Sequence, residues 1–254
     1  LSAPLFGNKH RIINLKTGDT QTGQSCANSV LKGATTMSIN EKQLSKLLYY
    51  FTSFDGGVYP SGINCRFVMH MREENLDYIE WVEKTINEFT STSKHKVIQR
   101  GNRKPLISLV SKSHPKFSAI RERLYIDGKK VLDPHQLALF DAETLAIIFM
   151  ADGGTSLDKG KYPEIKLHTK GYSYFDNLAL SKSIYEKTGI RTTVNRHNQY
   201  YFLRVKTVDI NRFIDTVFPF VLPSFSYKLE RLTPKMGGDI VCATQECVEI
   251  SRND

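Results

Sequence analysis

No run of apolar residues in this 254-residue chain approaches the roughly 18 that a membrane-spanning helix needs. The first residues, from Leu1, also lack the basic-then-apolar pattern of a secretory signal. Cysteine is scarce: Cys26, Cys65, Cys242 and Cys247 are too few and too scattered for a disulfide framework. Cys242 and Cys247 have no matching pair or histidine cluster nearby, which argues against a zinc site. All four read as reduced thiols of an intracellular protein without a membrane partner, in an organelle matrix or a bacterial or phage cytoplasm. Tryptophan occurs once, at Trp81, off the apolar face of its helix, where partly buried packing is expected. What the chain does have is enough apolar residue, 40%, for a sizeable core, which excludes wholesale disorder.

Acidic residues are the minority charge: 26 Asp and Glu against 35 Lys and Arg leave +9 and an isoelectric point near 9.3. The excess is uneven. From Ser91 to Lys130 there are eleven basic residues, Lys94 to Lys130, against only Glu122 and Asp127. Such a stripe suits a polyanion, although a solvated basic face kept for solubility has the same composition.

The chain is internally duplicated. Gln43–Phe54 is an apolar helix candidate, with Ser38 and Glu41 as a capping-box pair, and it ends in Phe54-Asp55-Gly56-Gly57. Ala142–Ala151 is a second, with Asp141 as N-cap, and it ends in Asp152-Gly153-Gly154. The two acids are 97 residues apart, and that offset keeps later elements in phase. Strand Arg66–Arg72 answers Glu164–Lys170. The amphipathic helix Asn75–Phe89 answers Tyr172–Lys187, which stops at Gly189. The hairpin of Lys94–Arg100 and Leu106–Lys112 answers that of Arg191–Arg196 and Tyr200–Lys206. Lys116-Phe117 answers Arg212-Phe213, and Lys130 precedes Lys228 by 98 residues.

Each unit is therefore αββαββα, and the fold class is α+β: a pseudo-twofold duplication with two four-stranded antiparallel sheets, each covered on one face by helices. The boundaries are an N-terminal arm (1–37), a first repeat (38–126), a linker (127–140), a second repeat (141–232) and a C-terminal extension (233–254). The arm, holding Lys9, Arg11, Lys16 and Lys32, reads equally as a strap along a phosphate backbone or as an uninvolved surface segment. The extension has no assigned role.

The uncovered sheet faces are basic. Arg66, His70 and Arg72 alternate with Phe67, Met69 and Met71; Lys166, His168 and Lys170 alternate with Ile165, Leu167 and Thr169. Lys94, Lys96 and Arg100, joined by Arg103 and Lys104, form the row of the first hairpin. In the second, Arg191, Asn195, Arg196, His197, Asn198, Gln199, Arg204 and Lys206 are available. β-Ribbons enter the DNA major groove, where Arg and Lys pair with guanine and Asn or Gln with adenine. Polar-out alternation is ordinary for any half-exposed sheet; several basic strands in two matched halves favour a nucleic acid. The mixed set of the second hairpin suits base reading, and the lysine-rich first suits phosphates.

An acid at a helix C-terminus opposes the helix dipole, so its duplication points to function. Two carboxylates converging from paired helix ends suit hard divalent cations and hydrolysis of one phosphodiester per strand. Taken one at a time, each Asp-Gly-Gly could equally be a tight turn. The second motif, Leu145-Ala146-Ile147-Ile148-Phe149-Met150-Ala151-Asp152-Gly153, resembles that of the LAGLIDADG homing endonucleases. The branch is the single-chain, two-motif type of the yeast mitochondrial omega-intron enzyme. The first motif, Leu48-Tyr49-Tyr50-Phe51-Thr52-Ser53-Phe54-Asp55-Gly56, is a degenerate copy, with Tyr49 and Tyr50 where small residues are usual. Pro134 after Lys129-Lys130 and Tyr227-Lys228-Leu229 also look like that branch, over about Gln43 to Leu232.

The resemblance implies that Asp55 and Asp152 bind catalytic Mg²⁺, two or three divalent ions shared by the pair, and that Lys130 and Lys228 are the basic residues of the active site. Each lysine would orient the attacking water, stabilise charge on the phosphate, or anchor it. It further implies a monomer, a pseudo-dimer within one chain, whose sheets form a DNA-binding saddle. The family cuts long asymmetric sites in duplex DNA and leaves short 3′ overhangs. A non-catalytic binder, such as a maturase acting on intron RNA, is the alternative, and an unrelated α+β protein would make the 97-residue phasing a coincidence.

Overall fold

The computed structural model describes residues 39–97, 104–158, 162–230 and 232. The 1–37 arm, the 233–254 extension, Ser38, Arg100, Arg103, Cys26, Cys242 and Cys247 lie outside those residues. Helix α1 (Ile39–Phe54) is followed by β1 (Gly56–Ser61), β2 (Asn64–Arg72), α2 (Leu76–Asn87), β3 (Thr92–Val97), β4 (Leu106–Ser111) and α3 (Pro115–Leu124). A short hairpin, β5 (Tyr125–Ile126) and β6 (Lys129–Lys130), and then α4 (Pro134–Ala138) lead onward. The second repeat comprises α5 (Ala142–Asp152), β7 (Gly153–Asp158), β8 (Tyr162–Leu167), α6 (Tyr174–Thr188), β9 (Thr192–His197), β10 (Tyr200–Val205) and α7 (Ile210–Val217), and α8 (Tyr227–Glu230) follows.

The two sheets have the same order, β1-β2-β4-β3 and β7-β8-β10-β9, with every neighbouring pair antiparallel. Gly56 pairs with Met69 and Gly153 with Leu167, so the ladders match residue for residue. Phe67, Met69 and Leu109 in one sheet, and Ile165, Leu167, Leu203 and Val205 in the other, are buried on the helix-covered face. Alternation then leaves the opposite face of each sheet open. The expected duplicated architecture is present.

Helix α5 is buried from Thr144 to Met150, apolar on every side, as a helix in the middle of a core must be. Its start is fixed by a capping box in which Asp141 and Thr144 each accept from the other's backbone N–H. Lys46 of α1, only 4% exposed, pairs with Asp141, and Gln43 donates to Glu143, so the first half of α1 is tied to the start of α5 by a partly buried polar network. Tyr49 and Tyr50 use their bulk on the connector: Tyr49 Oη accepts from Asp133 N at 2.8 Å, and Tyr50 Oη donates to the Gln136 carbonyl at 3.0 Å. In α2 the apolar stripe Tyr78, Ile79, Val82 and Ile86 is buried, and Trp81, half-buried beside it, sets its ring edge-on to Phe51 at 4.9 Å.

Three local departures from the sequence reading matter for the site. The 127–140 connector carries structure of its own: Asp127 (φ 48°) and Gly128 (φ 74°) make the two-residue turn of the β5–β6 hairpin. An Asp-Gly pair supplies the left-handed conformations that a right-twisted hairpin needs. Strand β8 stops at Leu167: His168 N still follows the register and donates to the Asp152 carbonyl at 2.8 Å, but the chain then folds back, Thr169 N donating to the Leu167 carbonyl at 3.0 Å and Lys170 N to the His168 carbonyl at 2.8 Å. In the first hairpin strand β3 begins at Thr92, two residues before the expected Lys94, and the rest of the expected Lys94–Arg100 strand beyond Val97 lies outside the described residues.

Candidate active site and nucleic-acid interface

Each acid is the hinge between a central helix and the first strand of its sheet. The glycine after it is required by crowding, not by a left-handed turn. A Cβ on Gly56 would lie 2.3 Å from the Phe67 ring, and one on Gly153 would lie 2.2 Å from the Phe149 carbonyl oxygen. The chain can leave the helix at this angle only without a side chain there.

The lysines expected near the acids do something specific and symmetric. Lys130 Nζ donates to the carbonyls of Thr52 (3.2 Å), Ser53 (2.9 Å) and Gly56 (3.3 Å). Lys228 Nζ donates to those of Phe149 (3.1 Å) and Met150 (2.6 Å). Thr52 and Ser53 correspond to Phe149 and Met150 at the 97-residue offset, so each lysine caps the helix that carries one acid. A cation here answers the helix dipole and the open carbonyls of the last turn, offsetting what the acid costs the helix.

All four charges feel one another. Burial pushes the Asp55 carboxyl up to about 6, against the pull of the Tyr78 hydroxyl, Lys228 and Lys130. Burial first and then the Asp55 charge push Asp152 up to about 7, against Lys130, Lys228 and Lys170. Repulsion between two such acids belongs to the pair rather than to either residue. Lys130 is lowered by burial, while Asp152 and Asp55 favour its charge. Asp55 Oδ2 is buried without a hydrogen-bond partner, and so is the Tyr78 hydroxyl beside it, whose pull on the acid is electrostatic rather than a well-formed hydrogen bond.

A hollow of about 390 Å³ opens over the second acid, lined by Asp152, Gly153, His168 and Lys170. A larger one of about 680 Å³ has His70, Arg72, Met150, Tyr227 and Lys228 on its walls. His168 and Lys170 therefore belong beside the acid rather than on a flat strand face. Burial, then Lys170, Lys166 and Lys228, hold the His168 imidazole below its usual range.

The donor set fits a hard divalent cation. A buried carboxylate oxygen with no partner, and two acids that are expensive to ionise side by side, call for a positive charge between them. Among the described residues no group of three or more His, Cys, Asp and Glu converges, so other ligands would be water and phosphate oxygens. That is the usual manner of Mg²⁺.

Strand register sorts the expected interface residues. Arg66, His70 and Arg72 are exposed on the open face of the first sheet. Lys94 and Lys96 are not with them: they stand opposite Leu109 and Ile107, on the helix-covered side, and pair with Glu83 (2.6 Å) and Glu73 (2.8 Å). Lys104 pairs with Glu74. The edge residue that the register puts on the open face is His95, opposite Ser108, which sequence reading missed. In the second sheet Lys166, Arg204, Asn195 and His197 share the open face with Phe202 and Tyr200. Arg196 stands opposite Tyr201 on the covered side and donates to the Asn198 carbonyl at 2.7 Å. Asn198 (φ 54°) and Gln199 form the hairpin tip. Arg191 is held bidentately by Asp209 at 2.7 and 3.0 Å, and Lys206 is exposed just past β10.

Comparison with known proteins agrees with this geometry. The family model described as the LAGLIDADG DNA endonuclease family matches residues 56–213. A protein of Mycosarcoma maydis called probable intron-encoded DNA endonuclease 3 is 28% identical over 124 residues, covering 47% of this chain and 89% of that protein. An uncharacterised protein of Methanocaldococcus jannaschii, MJ1098, is 32% identical over 117 residues, 46% of this chain, and the match spans only 45% of its length. The solved structure of the homing endonuclease I-WcaI bound to its DNA recognition sequence shares the fold, with a TM-score of 0.63 at 19% identity, over 83% of this chain and 94% of that one. With more than half its length matched by the family model, and both acids carried on the paired helices of a duplicated αββαββα fold, the chain belongs to the LAGLIDADG DNA endonuclease family.

Proposed function

We propose that this protein is a site-specific endonuclease that hydrolyses one phosphodiester in each strand of a long, asymmetric duplex DNA site and leaves short 3′ overhangs. It would act as a single chain. The observation that carries the reading is the symmetric pair of acid-bearing helix ends, each capped by its own lysine, with one buried carboxylate oxygen left without a partner. A binder has no use for two costly acids at its pseudo-twofold axis.

Asp55 and Asp152 would hold Mg²⁺, two or three ions between them, and the bound metal supplies the charge that polarises the scissile phosphates and acidifies water. Asp55, buried and with Oδ2 lacking a hydrogen-bond partner, would offer the metal an open acceptor. Lys130 and Lys228, fixed by helix-end carbonyls, place positive charge where the phosphate gains negative charge, without reorganising during the reaction. His168 and Lys170, lining the hollow over Asp152, are placed to contact the phosphate or its water on that strand. The open faces of the two sheets would follow the major groove on either side of the cut.

Selection from a randomised duplex library in Mg²⁺, repeated in Ca²⁺, tests this. The expected result is a single long non-palindromic site cut in Mg²⁺ and bound uncut in Ca²⁺. Sequence-specific binding with no cleavage in either metal would overturn the nuclease reading and favour the binder or RNA maturase.

A further inference from the structure

The second glycine of each Asp-Gly-Gly lies on the open face of its sheet, and in both halves a ring covers it. Gly57 stands opposite Val68 and Gly154 opposite Lys166, at matching points of the two ladders. The atoms nearest to a Cβ on Gly57 would be those of Tyr59, with the hydroxyl at 2.8 Å and two ring carbons at 2.9 and 3.0 Å. Over Gly154 they would be those of His168, with Nε2 nearest at 3.0 Å. Strand side chains ordinarily stand away from the sheet. These two lie down on it, each with a polar tip over the glycine two residues past an acid. Only the missing side chain gives them room.

The first repeat holds a histidine that could have filled the same place. His70 is the ladder match of His168, since Gly56 pairs with Met69 as Gly153 does with Leu167. It lies instead on the wall of the larger hollow with Arg72 and Lys228, and Tyr59 of β1 covers Gly57. Packing alone does not account for Tyr59, which is 53% exposed and stands opposite Arg66 on the open face. Its phenol is near enough to raise that of Tyr125, after the larger effect of burial, and Tyr125 stands opposite Lys130 in the β5–β6 ladder. The hydroxyl is thus held beside the helix end that Lys130 caps and Asp55 terminates. A phenol can donate to a phosphate oxygen there without adding charge.

We propose that Tyr59 is the first repeat's counterpart of His168: a phosphate-binding residue whose hydroxyl donates to the phosphate cut on one strand, as His168 serves the phosphate cut on the other. Gly57 lacks a side chain so that the ring can lie there. This rests on the nuclease reading above.

The test is the cleavage rate of each strand of the selected site, labelled separately, in Mg²⁺, for wild type, Y59F, G57A, the Y59F/G57A pair and H168A. Y59F keeps the ring over Gly57, and with it any packing the ring supplies, so it should melt like wild type. It should slow one strand by roughly tenfold or more, the scale of a hydrogen bond to a charged group, so that duplex nicked in the other strand accumulates. G57A pushes the ring aside but leaves the hydroxyl on the chain; it should slow the same strand, and the double variant no further than the slower single one. H168A should slow the opposite strand. In Ca²⁺, without cleavage, a methylphosphonate in place of the phosphate cut on the Tyr59 strand should weaken binding by wild type more than by Y59F. Equal slowing of both strands by Y59F, slowing of the same strand by Y59F and H168A, or relaxed discrimination at one base pair with the strand ratio unchanged would overturn the proposal. Should G57A fail to fold, Y59F and the methylphosphonate duplex decide it by the same criteria. If wild type cuts no site, the reading beneath the proposal fails; if it does and Y59F cuts both strands like wild type, only this inference fails.

Discussion

Replacing Asp55 by Asn is expected to abolish double-strand cleavage and, in metal-free solution, to stabilise the protein. Burial raises the Asp55 carboxyl from 3.8 to about 6. At about 1.4 kcal/mol for each tenfold change in acidity, keeping it ionised in the folded chain costs up to roughly 3 kcal/mol. Partial exposure and relaxation reduce that, so a gain of about 1–3 kcal/mol is expected, some 2–10 °C in melting temperature for a unit of this size. The sign follows from linkage: a raised carboxyl binds its proton more tightly in the folded state. The cost is absent below the unfolded value of 3.8, grows as pH rises toward about 6, and is fully present above it. The advantage of the Asn variant should therefore be present at pH 8 and largely gone at pH 4. Added Mg²⁺ should reverse the order, since wild type alone keeps both acids to bind it. Melting curves in EDTA and in Mg²⁺ at several pH values, beside cleavage of labelled duplex, check each step. A variant less stable than wild type in EDTA at pH 8, a gain equal at pH 4 and pH 8, or retained cleavage of both strands would refute the reasoning.

Lys228→Met should cost roughly 1–3 kcal/mol of stability, because it leaves helix-end carbonyls in a buried setting without their donor, and Lys130→Met, at a half-buried position, should cost less. Both should slow cleavage more than they weaken binding in Ca²⁺. Neutralising Lys94 and Lys96 together should leave the log–log salt dependence of DNA binding nearly unchanged, since they pair with Glu83 and Glu73 on the covered side; neutralising Arg66 and Arg72 should lower it by about one per lost phosphate contact. Anisotropy titrations over a salt series separate the two. The Arg191 guanidinium holds Asp209 down at about 2. This pair contributes stability above pH 4 that is lost as pH falls toward 2. After screening around the half-exposed Arg191, Asp209→Asn should cost about 1 kcal/mol in melts at neutral pH and little at pH 2.

The chain's own periodicity was enough to expose the duplication, because a repeated unit repeats its burial pattern whatever surrounds it. Asp55 and Asp152 were legible for a related reason: an acid at a helix C-terminus contradicts the local rule, and a contradiction made twice at one spacing marks function. Lys130 and Lys228 were legible as a phased pair, but their capping of helix-end carbonyls was not, since the partners are more than 70 residues away in sequence. Alternation could separate the two faces of β3 but not say which was open. With almost no apolar residue in Thr92–Val97, only the ladder to Leu109 and Ile107, with Glu83 of α2 and Glu73 just ahead of that helix, decides that Lys94 and Lys96 face the helices. The Asp127-Gly128 turn is a local signal of the sequence, an Asp-Gly pair with both residues left-handed, set inside a basic stretch. Tyr78 looked like any apolar-stripe residue, and Glu164 like a lone acid in a basic row. The pull of Tyr78 on Asp55 and the ion pair of Glu164 with Arg204 depend on which strands and helices meet, and that is settled by burial of the core across both halves rather than by any local preference.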